Sequence, residues 1–213
     1  MEANPELRAL ESLANWTGGI AILATLGVIF YGLWCGLRRP VGRTTGRVSG
    51  LLRSTLFFGI VSAGYFGLCY LLWIPLPVML SISARILSLA VGTLLFFPGL
   101  GLIWWGRLAL GQQYFVSTSL GTQLFAGHCL VTSGPYALVR HPMYLGILLT
   151  GLGGILIYRT WTMVFLALNF LGLMMRARRE EQALAIEFGA QWQAYSRTVP
   201  GWFPRLGRKR GNA

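Results

Sequence analysis

Arg140 and His141 stand side by side immediately ahead of Pro142. A permanent cation and a titratable imidazole therefore sit at the start of an apolar run. Proline has no backbone N–H to offer and suits the first turn of a helix, while the residue before it is driven out of helical geometry. Gly134 and Pro135, just upstream, have the composition of a turn. The pair is thus expected at the positive end of a helix, where anions bind well. A second group follows at Arg176, Glu180 and Glu181. At about 100° per residue, Ala177, Glu181, Leu184, Phe188, Trp192 and Tyr195 share one helix face with Glu180 beside them, while Arg178, Arg179 and Ile186 fall elsewhere. Arg176 and Glu180 are four apart and reach each other. A docking face that carries carboxylates inward needs partners for them, and a cationic ligand would be one.

The elements that hold these groups are apolar. The chain has 213 residues, 54% hydrophobic and 11% charged, with a mean hydropathy of +0.59. A soluble domain carries roughly 25% charged residues, so the composition is that of a single integral membrane domain. The expected class is all-α: a polytopic helical membrane protein of about five transmembrane segments, with a cytoplasmic C-terminal helix completing the pocket. Apolar runs over 16–37, 54–73 and 86–105 are each near the ~20 residues that cross a bilayer core, and Pro98 should kink the third. They form an N-terminal group over 14–105. A low-charge loop over 106–140 is long enough to be functional. Two shorter runs, 144–157 and 161–175, reach only about 21–23 Å at 1.5 Å per residue. The segment 106–204 is the expected functional core. In it, 199–204 (Val-Pro-Gly-Trp-Phe-Pro) reads as an interfacial clamp, and 205–213 as a basic tail against anionic lipid.

The net charge of +12 follows topology. Five crossings put 15 of the 18 basic residues on one side and leave Arg8, Arg85 and Arg159 on the other. The positive-inside rule then places the N-terminus outside and the C-terminus and site in the cytoplasm. The basic residues flank apolar runs, unlike the patch expected of a nucleic-acid binder. Cys35, Cys69 and Cys129 form no pairing pattern, and His128 and His141 lack companions at metal-ligand spacing, so no disulfide framework or metal site is expected. The Gly151-x-Gly153-Gly154 cluster reads as close helix packing. Seventeen of the 18 basic residues are Arg, a bias that suggests a GC-rich bacterial genome and an inner-membrane location.

Three blocks in order carry a resemblance. They are His128-Cys129-Leu130-Val131-Thr132-Ser133-Gly134-Pro135-Tyr136, then Arg140-His141-Pro142-Met143-Tyr144-Leu145-Gly146, then Arg176 to Glu181 with Phe188-Gly189, Tyr195 and Val199-Pro200. Together they resemble the isoprenylcysteine carboxyl methyltransferase family, within the wider group that includes phospholipid N-methyltransferases. The resemblance implies a transferase that binds S-adenosylmethionine in a cytoplasmic pocket made by the loop over 106–140, the doorway over 134–146 and the tail helix that begins at Arg176. Position by position, it implies cofactor contacts at His128, Cys129, Leu130, Val131, Tyr136, His141, Pro142, Met143, Tyr144 and Glu180. It implies a substrate-facing arginine at Arg176. A further cofactor-binding glutamine of the family could fall on Gln112, Gln113 or Gln123. The family's Arg-Val-Pro appears here as Arg197-Thr198-Val199-Pro200, with the arginine one residue early.

The residue types suit methyl transfer, an in-line displacement that needs mainly positioning. Glu180 or Glu181 can hold the cofactor's ammonium or ribose hydroxyls; Arg140 and Arg176 can orient an anionic acceptor. A carboxylate acceptor needs no base, whereas an amine must lose a proton. The expected partners are a lipophilic substrate entering from the bilayer and membrane lipids. The acceptor stays open between an isoprenylcysteine-type carboxylate, a phospholipid amine and a small hydrophobic thiol or carboxylate. Two other classes compete: a sterol-type reductase using NADPH, which would want a basic cluster where 106–139 has only Arg107, and a non-catalytic membrane protein.

Overall fold

The computed structural model describes residues 5–37, 41–45, 55–113, 117–118, 121–125 and 129–204. Six helices carry the fold: α1 (Pro5–Leu37), α2 (Thr55–Leu71), α3 (Ile82–Leu110), α4 (Pro142–Tyr158), α5 (Trp161–Leu168) and α6 (Phe170–Thr198). Three short strands add a small antiparallel sheet to the expected helical architecture: β1 (Val41–Thr45), β2 (Ser117–Thr118) and β3 (Gly121–Phe125), in the order β1-β3-β2. Val41 pairs with Phe125 and Thr45 with Thr122. The loop after α1 is therefore bonded to the loop after α3, and the two lie at the same end of the molecule.

The ends of the helices follow local chemistry. The Ser81 hydroxyl accepts from the Ala84 N–H at 3.3 Å and caps α3, the usual role of serine at this position. Helix α3 runs through Pro98 as one 29-residue element. Pro142 opens α4 at its first turn, and His141 caps it in a non-helical conformation (φ −122°, ψ 59°). At the far end of α4, Arg159 takes a left-handed conformation and ion-pairs with Glu11 at 2.8 Å. Glu11 also binds Arg85, so one carboxylate ties α1 to the start of α3 and the end of α4.

Helices α3 and α4 form the centre. Their backbones approach so closely that a Cβ on Gly146 would meet the Gly99 carbonyl oxygen at 2.6 Å, and one on Gly99 would meet the Gly146 carbonyl oxygen at 2.8 Å. Small residues at such a seam let helices pack by backbone contact. Around it Phe96, Leu100, Ile103 and Ile157 form the core with Ala14 of α1. The Gly151-to-Gly154 cluster also packs as expected, with Gly153 against Gly92 and Phe96 and Gly154 against Met163.

Among the described residues, two helices are long and apolar enough to cross a membrane, Pro5–Gly32 and Ile82–Gln113; Gly59–Leu71 and Pro142–Tyr158 are apolar but shorter. Their outward surfaces are oily, with Leu23 70% and Leu94 72% exposed, as suits contact with lipid. The expectation of five spans is met only in part. The fifth apolar run does not form one helix: α5 has eight residues, a rise of about 12 Å. The chain breaks at Asn169, whose side chain bonds back to the Phe165 carbonyl at 2.7 Å. Asparagine competes for local backbone groups in this way and disfavours helix interiors. The last apolar residues instead open α6, which continues without interruption into the polar tail as far as Phe188.

Candidate functional site

The doorway is built from a turn, a cap and a returning tail. Gly134, with φ +62°, opens a short 3-10 helix, Gly134–Ala137, so the expected turn is present. The backbone N–H groups of Arg140 and His141 then donate to the carbonyls of Pro200 (2.8 Å) and Gly201 (3.1 Å). The chain beyond α6 thus returns to bind the very residues that open α4.

Helix α6 brings its inward face to the doorway as its periodicity predicts. Ala177 and Trp192 are buried, Glu181, Leu184, Phe188 and Tyr195 partly so, and Arg178, Arg179 and Ile186 are exposed. Gly189 (φ 46°, ψ −114°) breaks the helical path between Phe188 and Ala190, a conformation that glycine alone adopts readily. The short segment after this kink carries Trp192 and Tyr195 over the turn. The Tyr195 hydroxyl donates to the Tyr136 carbonyl at 2.7 Å, and burial pushes its pKa up to about 12.

Both carboxylates have partners within the protein. Glu180 accepts from the Tyr144 hydroxyl at 2.6 Å and from Arg176 Nε at 3.2 Å. Both bonds fall on Oε1. A carboxylate offers about four lone-pair positions, so Glu180 keeps accepting capacity. The Arg176 guanidinium also lies over the Tyr144 ring, 5.6 Å from its centroid. Glu181 accepts from Arg140 Nε at 3.0 Å and lies 2.8 Å from His141 Nε2. A carboxylate only accepts, so the shared proton belongs to Nε2. Burial raises the Glu181 pKa, but the His141 hydrogen bond and the charges of His141 and Arg140 outweigh it and hold the carboxyl below its ordinary range.

These groups surround one open cleft. Of the residues singled out in the sequence, Cys129, Leu130, Val131, Tyr136, Arg140, His141, Pro142, Met143, Tyr144, Arg176, Glu180 and Tyr195 all line it. His128 lies outside the described residues. Glu181 is not on the cleft wall; its carboxylate is taken by the Arg140 and His141 side chains. Arg140 lines the cleft, but its guanidinium also donates to the carbonyls of Ser196 (2.8 Å) and Val199 (3.2 Å), so it fastens the tail as well as charging the cleft. Arg197 is exposed in the last turn of α6. Of the candidate glutamines, Gln113 accepts with its side-chain oxygen from the Cys129 N–H at 3.0 Å, and the Gln123 side chain lies outside the described residues.

The wall has members that the motifs did not indicate. Ile29 of α1, Leu110 of α3, Ile147 of α4, and Leu173, Leu184 and Trp192 of α6 complete it. Leu184 and Trp192 were legible as part of the docking face. Ile29 carries no signal within a uniformly apolar helix.

The family model described as phospholipid methyltransferase matches residues 87–191, just under half of the chain and nearly all of α3 through most of α6. The cobalt-zinc-cadmium resistance protein CzcN of Cupriavidus metallidurans is 47% identical over 90 residues, 39% of this chain and 39% of that protein. The protein-S-isoprenylcysteine O-methyltransferase of Schizosaccharomyces pombe is 34% identical over 81 residues, 37% of this chain and 34% of that protein. The matched region is thus well under half the length of either relative.

Proposed function

We propose that this protein, whose residues 87–191 match the family model described as phospholipid methyltransferase, transfers a methyl group from S-adenosylmethionine to a lipid-like or lipidated acceptor at the cytoplasmic membrane face. The observation that carries the reading is the meeting of the doorway and α6 around one cleft. His141, Tyr144, Arg176 and Glu180 come from two distant segments and share its wall.

The donor set fits the cofactor. Glu180 has accepting capacity for an ammonium or a ribose hydroxyl, and the first turn of α4, beyond His141, suits a carboxylate as a helix start. Leu130, Val131, Met143 and Tyr136 supply an apolar wall for a planar base. When bound, S-adenosylmethionine supplies a methyl group on a sulfonium to an acceptor aligned behind it. The chain's residues supply position and charge. Tyr144 holds the Glu180 carboxylate by its hydroxyl. Glu180 and the Tyr144 ring together hold the Arg176 guanidinium, a planar fork suited to an anionic group. That geometry favours a carboxylate- or phosphate-bearing acceptor, as in an isoprenylcysteine-type substrate or a phospholipid. In a phospholipid, Arg176 would grip the phosphate while the amine receives the methyl group. Arg107, the basic residue that an NADPH reading would need, donates to the Gly111 carbonyl at the end of α3 (3.0 Å).

Calorimetry on purified protein tests the cofactor assignment. Binding with a dissociation constant on the order of micromolar is expected, about −8 kcal/mol. No saturable binding by folded protein at millimolar cofactor would overturn it.

A further inference from the structure

Trp202 lies off the cleft wall, yet it touches the two rings that form the doorway's face. Its centroid is 5.2 Å from that of His141, with planes 33° apart, and 6.3 Å from that of Tyr144, with planes 29° apart. His141 and Tyr144 are themselves stacked at 5.6 Å and 9°. Phe170, at the start of α6, meets Trp202 edge-on at 5.3 Å and 70°. The sequence suggests an interfacial aromatic at this position, but that description fits its neighbour: Phe203 is 65% exposed, while Trp202 is turned inward.

Trp202 is placed by backbone bonds. Val199 N–H donates to the Tyr195 carbonyl, and the Pro200 and Gly201 carbonyls accept from Arg140 and His141. The strap over 199–204 is thereby fastened residue by residue up to Trp202. The imidazole is held at one edge by Glu181 and across its plane by Tyr144 and Trp202. A ring fixed by both a hydrogen bond and stacking loses its freedom to turn about χ2, a broad two-fold torsion for histidine.

We infer that Trp202 is a positioning residue of this site: it sets the planes of His141 and Tyr144, and through Tyr144 the placement of Glu180 and Arg176. The choice of S-adenosylmethionine as ligand rests on the proposed function; the positioning itself does not.

The test uses Trp202→Ala, Trp202→Leu and Trp202→Phe, each checked for folding by its thermal transition. The first readout is the His141 ring signal in a carbon–proton NMR spectrum, one of two histidine signals in the chain and assigned by its loss in His141→Gln. The second is S-adenosylmethionine affinity. In Trp202→Ala the His141 signal should move, because a ring current and a stacking partner are gone, and affinity should fall about fivefold or more. Trp202→Phe should return affinity to within about twofold of wild type, because an aromatic plane is restored. Should Trp202→Ala not fold, Trp202→Leu, which keeps apolar bulk without a plane, is expected to show the same two changes. An unmoved His141 signal in a folded Ala or Leu variant overturns the inference. So does wild-type affinity in either, or a Phe variant as impaired as the Ala variant. If the wild type itself does not bind S-adenosylmethionine, the proposed function fails, and the His141 signal still decides the positioning.

Discussion

The Glu181 carboxylate lies 2.8 Å from the imidazole of His141, a residue forty positions earlier in the chain. This contact joins α6 to the doorway. With Arg140 sharing the same oxygen at 3.0 Å, it makes Glu181 a fastener of the site, placed beside the residues on the cleft wall.

Glu181→Gln should therefore lower stability by about 1–3 kcal/mol at neutral pH, the range for losing a charge-assisted hydrogen bond. The pH dependence has a definite sign. The carboxyl titrates below its ordinary value of 4.5 in the folded protein, so its stabilising effect is present above that value and is lost as pH falls through the folded pKa. Thermal transitions of wild type and variant should converge as pH is lowered below 4.5. A constant gap across that range would remove the charge from the account.

Arg176 is expected to serve the acceptor. Arg176→Ala should leave cofactor affinity nearly unchanged and cut methyl transfer at least about tenfold, roughly 1.4 kcal/mol of transition-state stabilisation. Arg176→Lys separates this from simple anchoring at the lipid headgroups. It keeps the charge and loses the fork, so full turnover in the Lys variant would count for the anchor.

The α3–α4 seam predicts a steric effect. Gly146→Ala places a Cβ 2.6 Å from the Gly99 carbonyl oxygen and should destabilise by about 1–3 kcal/mol through overpacking. Gly19→Ala has nothing within 4 Å of its new Cβ and serves as the control. Detergent-solubilised thermal transitions that fail to distinguish the two would contradict the packing.

Pairing of β1 with β3 requires the loops after α1 and α3 to share a side, and the proposed orientation, from the basic-residue count, makes that side the cytoplasmic one. Reporter fusions after Leu37, Gly111 and Pro204 should all report cytoplasm. A reading on the opposite side at Pro204 would overturn the orientation.

The parts of this molecule legible in the sequence are those fixed by local chemistry. Pro142 announced the start of α4, Gly134-Pro135 the turn, and the 100° spacing from Ala177 to Tyr195 the inward face of α6. What escaped depends on distance. Nothing in the periodicity shows that Glu181 meets Arg140 and His141, because a helix face reveals burial and leaves the partner open. Trp202 follows from the return of the strap, which long-range backbone bonds create. The break at Asn169 divides a run of uniform hydropathy, where one polar side chain outweighs the apolar pattern. The sheet arises from Gly-, Ser- and Thr-rich loops that pair weakly by composition and need each other's edges to form.

The central claim is methyl transfer from the cleft to a lipophilic acceptor, and one measurement addresses it directly. Purified protein is incubated with methyl-labelled S-adenosylmethionine and extracted membrane lipids, and the organic phase is counted and its labelled species identified. The account predicts enzyme-dependent label in a lipid bearing a carboxylate or phosphate, abolished in Glu180→Ala and strongly reduced in Arg176→Ala. Cofactor binding with no label in any lipid, or labelling that Glu180→Ala leaves intact, would contradict it.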